Sequence, residues 1–345
     1  MCNIAAYVGT KPAAPLLIDM IRRQEGLNGG FYVGIATIHE GKIHYRKVRG
    51  DLNRLLTETD ALSLPGTVGI AHTRTPGGGN EEWGHPFVGM KDGEPVTAYL
   101  LNGSRGFFAS VPRNVLMAES LISDGYSFRT RTVGEIAKEH TPLLSDGTCV
   151  HTSEIMSNLI LRNIDRGMAE PFAMEAAMMD FPLECVGLLL SVAHGDRIAY
   201  SRFNMPMNLG FADHGCYMAS AALCFPEDAA YPLPVPAGSV GYVYKDHYES
   251  YPYKKLPATL APITARVRKE GYDAVVAALQ EGKQTVPALA KLVAPLFDAA
   301  DCVQKAMLVY DILYSLHREG RLKIEIVTVP GDTEDLTSPR FDLSL

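Results

Sequence analysis

The first residues of the chain, Met1-Cys2-Asn3-Ile4-Ala5-Ala6-Tyr7-Val8-Gly9, decide the fold. The run is apolar and ends at a glycine, which is typical of a short buried strand. Removal of Met1 would leave a thiol and a free α-amine together on Cys2. That amine, with an ordinary pKa of about 7.7–8.0, could accept the thiol proton. Taken alone, however, the position indicates an inert core thiol, because free cysteines are usually buried and unreactive.

Beyond this strand, short apolar runs bounded by glycine or charged residues predict two blocks of strands. The first block lies at 31–38, 43–48, 67–71 and 96–101, and the second at 186–193, 198–201, 209–211, 216–220 and 238–244. Helices are predicted at 12–24, 115–123 and 153–165. Because strands and helices come in blocks and do not alternate, the pattern favours an α+β fold with packed antiparallel sheets flanked by helices.

The composition changes after Tyr253, and we predict a domain over residues 1–253 followed by a small, mostly helical C-terminal module over 254–345. Helices are predicted there at 258–269, 272–280, 287–296 and 301–319, followed by a strand at 322–329 and an acidic tail. The segment 272–296 also fits a helix-turn-helix. The module is slightly acidic, however, whereas a DNA-binding module should carry a basic face, so packing or partner docking is favoured.

Four short motifs follow one another in a recognisable order. The opening Met1–Gly9 stretch is followed by Gly69-Ile70-Ala71-His72-Thr73-Arg74, then by His85-Pro86, then by Leu101-Asn102-Gly103. Together they resemble the class II glutamine amidotransferases, and especially the glutaminase domain of glucosamine-6-phosphate synthase. The resemblance spans about residues 2–245 and is most specific in the first hundred residues. Four motifs in order are far more specific than any single one.

The resemblance implies the four-layer αββα sandwich of the N-terminal-nucleophile (Ntn) hydrolases. It also implies that Cys2 is the nucleophile and that Asn102 and Gly103 stabilise the oxyanion, a role for preorganised donors. Arg74 would bind the substrate α-carboxylate, which suits a guanidinium fork. The remaining substrate-binding positions would be Thr75, His85 and Thr152, while His72 is expected to be structural. Taken alone, an Asn-Gly pair indicates a turn, and a lone arginine can equally form a surface ion pair.

The sequence departs from the family at several of its motifs. Asn28 stands where the family has an arginine, and Thr75 where it usually has tryptophan. Thr152 aligns with the aspartate that binds the substrate α-ammonium. A neutral hydroxyl cannot replace that charge, so glutamine itself is in question as the substrate. Asp146 and Glu154 are the alternative acids for this role.

The composition excludes several other classes of protein. The net charge of −7 argues against a nucleic-acid-binding surface covering the molecule. No apolar run approaches the roughly 20 residues that span a bilayer, and the N-terminus lacks an export signal. Six scattered cysteines indicate reduced thiols in a cytoplasmic protein. Cys149 with His151 and His214 with Cys216 offer a zinc alternative, but their spacing is tighter than usual, so neither a metal nor a cofactor is predicted.

We therefore predict an amidohydrolase of glutaminase type that releases ammonia from a small-molecule amide. The sugar-isomerase domains of the synthase do not fit in the remaining length, so an acceptor synthase would be a separate chain, making the pair a transferase. One alternative is an amidase of the same fold that acts on a non-glutamine amide. Another is a catalytically silent regulatory or binding relative. The sequence does not indicate the oligomeric state.

Overall fold

The computed structural model describes residues 2–104, 108, 111–134, 136, 141–297 and 302–345. The strands, in chain order, are β1 (Asn3–Gly9), β2 (Tyr32–His39), β3 (Lys42–Arg49), β4 (Val68–Arg74), β5 (Phe87–Lys91), β6 (Glu94–Ser104), β7 (Thr132–Val133), β8 (Thr148–Cys149), β9 (Glu184–Ser191), β10 (Ile198–Arg202), β11 (Asn208–Ala212), β12 (Gly215–Ala219), β13 (Ala230–Pro234), β14 (Ser239–Val243), β15 (Tyr248–Pro252), β16 (Lys323–Pro330) and β17 (Thr337–Ser344). The α-helices are α1 (Ala13–Arg22), α2 (Glu25–Asn28), α3 (Leu52–Glu58), α4 (Val111–Ser123), α5 (Thr152–Asp165), α6 (Glu170–Asp180), α7 (Ala265–Glu281), α8 (Val286–Val293) and α9 (Lys305–Arg318).

Two antiparallel sheets form the centre of the molecule. One has the strand order β13-β11-β12-β1-β4-β2-β3, and the other has the order β15-β14-β10-β9-β6-β5. Side chains alternate across each strand, as the pleat requires. In β1, Ile4 and Val8 pack between the sheets, whereas Ala5 and Tyr7 face the helical layer that contains α1.

The outer faces of both sheets are covered by helices. α1 and α3 pack on the sheet that contains β1, and α4, α5 and α6 pack on the sheet that contains β9. The result is helix, sheet, sheet, helix, so the predicted α+β four-layer αββα sandwich is confirmed.

Several predicted boundaries need correction. α3 and α6 were not predicted, and the helices predicted at 258–269 and 272–280 are one helix, α7, which starts only at Ala265. α7 continues through Gly271. A Cβ at this position would lie 2.8 Å from Cδ2 of Leu308, so the missing side chain lets α9 pack close. The predicted acidic tail contains β17, which pairs with β16 as a hairpin. The start of the helix predicted at 301–319 lies partly outside the described residues, and α9 begins at Lys305.

The C-terminal module packs against the sandwich. The Tyr310 hydroxyl on α9 donates a 2.7 Å hydrogen bond to Oδ1 of Asn3, next to Cys2. A Cβ at Gly26 would lie 2.1 Å from the Phe341 ring, so α2 needs a glycine where the hairpin crosses it. The boundary after residue 253 stays a prediction. Tyr253 itself lies in the core of the sandwich and shares a 2.6 Å hydrogen bond with Ser201. In the part of the chain that the structure describes, no helix is long and apolar enough to cross a membrane.

Glu25 gives a prediction about stability. Burial raises the pKa of this carboxyl to about 8, although its Oε2 accepts a 3.1 Å hydrogen bond from Leu52 N. The folded protein therefore holds a proton that the unfolded chain releases near pH 4.5, and stability is lost as the pH rises from about 4.5 to 8. We expect Glu25→Gln to increase the free energy of unfolding at pH 8.5, on the order of 3 kcal/mol, with little change at pH 4. Urea unfolding at both pH values measures this, and an equal change at both would contradict it.

Candidate active site

Cys2 and Asn102 meet where the two sheets come together. The β1–β4 register pairs Asn3 with Thr73, which places Cys2 beside Arg74 at the same end of that sheet. Asn102, fully buried near the end of β6, belongs to the other sheet, and its Oδ1 accepts a 3.1 Å hydrogen bond from Cys2 N. Its Nδ2 donates one hydrogen bond, 3.3 Å long, to Oγ of Ser220. Because an amide nitrogen carries two hydrogens, the second is available to a substrate.

The surroundings of the Cys2 thiol favour the thiolate. Burial alone would raise its pKa, but the neighbouring His72 ring, the N-terminal charge and the Arg74 charge lower the pKa of Cys2 to about 6. Three of the other thiols differ, since burial raises the pKa of Cys185, Cys216 and Cys224. Cys2 is thus set apart as a nucleophile by its neighbours.

His72 was expected to be structural, and its Nε2 does lie 3.1 Å from the Leu101 carbonyl oxygen. Its effect on the Cys2 pKa shows that it also contributes to the electrostatics of the site.

Arg74 is held by the loop that follows it. Its Nη1 donates a 2.8 Å hydrogen bond to Trp83 O, and the guanidinium lies over the Tyr32 ring at 4.9 Å. A Cβ at Gly77 would lie 2.1 Å from Arg74 Nη2, so the glycine-rich loop can cross the guanidinium closely. The Tyr32 hydroxyl donates to the carbonyl oxygens of Gly78 and Gly79, which fixes that loop.

The charge of Arg74 lacks a counter-ion. Burial lowers the pKa of the guanidinium, and among the described residues no carboxylate lies within 4.0 Å of it. A partly buried cation without a carboxylate partner favours an anionic ligand. Thr75, the next residue, has its Oγ1 3.8 Å from Cys2 Sγ. This arrangement supports a carboxylate-binding role for Arg74 close to the nucleophile.

His85 belongs to a row of histidine rings that leads from His72 to His151, the residue before Thr152. The His85 ring lies 4.0 Å from the His72 ring and 6.0 Å from the His151 ring. Burial keeps the pKa of His85 well below 6.5, so the ring is neutral. Neither of its nitrogens has a hydrogen-bond partner among the described residues. Thr152, partly exposed, is the first residue of α5, directly after His151, which caps that helix.

The two alternative acids are engaged elsewhere. Glu154 accepts hydrogen bonds from Arg129 N (2.8 Å), Thr130 N (3.0 Å) and Thr130 Oγ1 (2.5 Å). Asp146 is exposed, and hydrogen bonds from Thr148 together with Arg131 lower its pKa to about 2. Both carboxylates thus serve local structure, and neither contacts Cys2 or Arg74.

Ser220, Asn3 and Tyr310 contribute to the site and were not predicted to do so. Ser220 Oγ accepts hydrogen bonds from Asn102 Nδ2 (3.3 Å) and from Ile4 N (3.1 Å). In the sequence, Ser220 stood out only as the end of the strand motif that closes with Ala219-Ser220. Asn3 is held by Tyr310, for which the sequence gives no signal. Gly103 lies where predicted, in register with Cys185, and a Cβ there would approach Glu184 O to 3.0 Å.

The zinc alternative finds no support in the described residues, which contain no group of three or more His, Cys, Asp or Glu side chains able to hold a metal. His214 instead lies 2.8 Å from the Tyr7 hydroxyl through Nδ1 and 2.8 Å from Asp228 through Nε2.

Comparison with known proteins finds relatives of this chain by sequence. The chain is 28% identical over 225 residues to a glutamine–fructose-6-phosphate aminotransferase (isomerizing) of Mesorhizobium japonicum, covering 65% of this chain and 32% of that protein. It is 27% identical over 255 residues to the protein of the same name from Pyrococcus horikoshii, covering 72% and 37%. The predicted resemblance to the class II glutamine amidotransferases is confirmed. The chain spans about a third of the length of these relatives. No family model matches it.

Solved structures confirm the fold. A glutamine phosphoribosylpyrophosphate amidotransferase from B. subtilis superposes with a TM-score of 0.57 at 15% identity, covering 79% of this chain and 52% of that one. An allosteric regulatory enzyme of purine biosynthesis gives a TM-score of 0.60 at 13% identity, covering 90% and 63%. At such identities the likeness concerns the fold alone, which is that of the Ntn-type amidotransferases.

Proposed function

We propose that this chain is an amidohydrolase of the glutaminase type that uses Cys2 as its N-terminal nucleophile and releases ammonia. The observation that carries the proposal is the hydrogen bond from Cys2 N to Asn102, which joins the nucleophile to an amide donor beside the unpaired charge of Arg74. The sequence relatives, which are glutamine-dependent by name, support glutamine or a close analogue as the substrate class.

In the proposed reaction the Cys2 thiolate attacks the amide carbonyl. Negative charge develops on the oxygen and is stabilised by Asn102 Nδ2 and the N–H of Gly103. The α-amine of Cys2, exposed when Met1 is removed and held by Asn102 Oδ1, first takes the thiol proton as general base. It then gives this proton to the departing nitrogen, and ammonia leaves. Water then hydrolyses the thioester, so the sum is amide plus water to carboxylic acid plus ammonia.

The remaining assignments follow from this chemistry. Arg74 binds a substrate carboxylate, with Thr75, His85 and Thr152 forming the rest of the substrate pocket. We further propose that the ammonia released by Cys2 chemistry is passed to a separate acceptor synthase. The six free, buried cysteines support a reducing, cytoplasmic setting.

A direct test measures ammonia released from a panel of amides by the purified protein. The panel contains glutamine, asparagine, 4-carbamoylbutyrate (the desamino analogue of glutamine) and a neutral amide. Hydrolysis restricted to amides that carry a carboxylate supports the proposal, whereas equal rates on the neutral amide would contradict the role of Arg74. Release from none of them would favour a silent binding relative.

Thr152 gives a prediction about the choice of amide. With Asp146 and Glu154 engaged elsewhere, neither of these acids is free to meet a substrate ammonium. A buried ammonium without a charged partner costs several kcal/mol. We expect wild-type protein to prefer 4-carbamoylbutyrate to glutamine, and Thr152→Asp to raise kcat/KM for glutamine at least tenfold. An acid in the first turn of α5 also suits the helix dipole, so the variant should fold.

Thr152→Asn is the matched control, because it has the shape of aspartate without the charge. It should leave the preference unchanged. Efficient wild-type hydrolysis of glutamine with 4-carbamoylbutyrate rejected would show that another group binds the ammonium.

A further inference from the structure

A cavity of about 440 Å³ separates the sandwich from the C-terminal module. One wall is a face of α8 and the turn after it, with Pro287, Ala290, Lys291 and Ala294 at helical spacing. The opposite wall belongs to the sandwich and includes Gly103, the residue after Asn102. The volume of the cavity is typical of small-molecule sites, which combine an apolar lining with a few convergent polar groups.

Part of the cavity lining is electropositive. Lys305 and Ala306, in the first turn of α9, line the cavity, and α9 is a 14-residue helix whose N-cap, Gln304, makes no side-chain capping hydrogen bond. Instead the Gln304 Oε1 accepts from Arg202 Nη2, 3.1 Å away, which fixes the residue away from the helix end. The free N–H groups and dipole of a helix N-terminus favour an anion. Lys291 and Lys305 add two positive charges, and neither forms an ion pair with any described residue.

The lining also offers neutral hydrogen-bonding groups. Asn204 is 1% exposed and lines the cavity, and its Nδ2 donates to Glu184 Oε1 (3.0 Å) and to Val303 O (3.3 Å). Its Oδ1 has no hydrogen-bond partner among the described residues, and neither has Nδ2 of Asn28, which also lines the cavity. Buried polar atoms are nearly always paired, so two open ones in one cavity indicate a ligand.

We propose that this cavity binds a small organic anion, either a phosphate monoester or a carboxylic acid, that also carries hydroxyl groups. The anionic group lies at the N-terminus of α9 against Lys305 and Lys291. A hydroxyl donates to Oδ1 of Asn204, and a ligand oxygen accepts from Nδ2 of Asn28. Two lysines and one glutamate, Glu184, line the cavity, so the net charge of the lining favours an anion. The site does not depend on the proposed amide chemistry, although its contact with Gly103 places the ligand next to the oxyanion donors.

The test is calorimetric titration of the full chain carrying Cys2→Ala, so that failure of the amidase proposal leaves the result intact. The probes are ribose 5-phosphate, glycerol 3-phosphate and citrate, with inorganic phosphate as the bare anion. We expect at least one organic probe to bind ten times more tightly than inorganic phosphate. Lys305→Met should weaken that binding at least tenfold.

Lys269→Met, an exposed lysine of α7 away from the cavity, is the control and should bind like the parent protein. If thermal unfolding shows that Lys305→Met does not fold, Lys291→Met is measured in its place with the same expectation. The proposal is overturned if no organic probe exceeds inorganic phosphate, or if the lysine variant binds as tightly as the parent protein.

Discussion

Cys2→Ala is expected to reduce amide hydrolysis below 1% of the wild-type rate. The substitution removes the thiol whose pKa the site lowers to about 6, and it leaves no atom to form the thioester. Because Cys2 is small and buried, alanine should fill the site with little loss of stability. Ammonia release from the best amide of the panel measures the effect.

Cys216→Ala is the matched control. That thiol is also buried in the sheet that contains β1, but burial raises its pKa and it faces the space between the sheets. It should retain the wild-type rate. Intact mass must also show that the active protein starts at Cys2, because the α-amine has to be free. A Cys2→Ala protein that keeps its rate, or an active protein that retains Met1, would rule out the proposed nucleophile.

The sandwich could be predicted because its signals are local. β1 and β4 are short apolar runs whose alternate residues face opposite layers, and a pattern of that kind is visible in the sequence. α6 was not predicted, since its apolar residues surround the helix and give no amphipathic pattern, as expected of a helix buried between its neighbours. β17 was not predicted because alternating exposed and buried residues there include charged ones, which made it resemble a tail.

In the site, too, residues within local strand motifs could be predicted, whereas contacts between distant segments could not. Cys2, Arg74 and Asn102 each lie in a strand motif, and pairing β1 with β4 suffices to bring the first two together. Contacts between segments that are far apart in the chain correspond to no motif in the sequence. Tyr310 reaches Asn3 across 307 positions. Glu154 and Asp146 are engaged by Thr130 and Arg131, which lie in an irregular segment that has no periodicity in the sequence. The cavity beside Gly103 likewise arises only when the C-terminal module docks.

Asn102→Ala is expected to lower kcat by on the order of a hundredfold or more and to change KM little. One hydrogen of Nδ2 is bonded to Ser220, and the other is the proposed oxyanion donor, which acts mainly in the transition state. Removing Oδ1 also releases the Cys2 nitrogen, so the general-base step is weakened as well. Steady-state kinetics with 4-carbamoylbutyrate and with glutamine separates kcat from KM.

The matched control is Asn208→Ala, since Asn208 is equally buried and its Nδ2 donates a 3.2 Å hydrogen bond to the carbonyl oxygen of the same Ser220. Both variants lose one buried amide beside Ser220, but only Asn102 contacts Cys2. If the two variants lost the same activity, the loss would reflect packing around Ser220. If Asn102→Ala raised KM and left kcat unchanged, Asn102 would bind the ground state, and the oxyanion would need another donor.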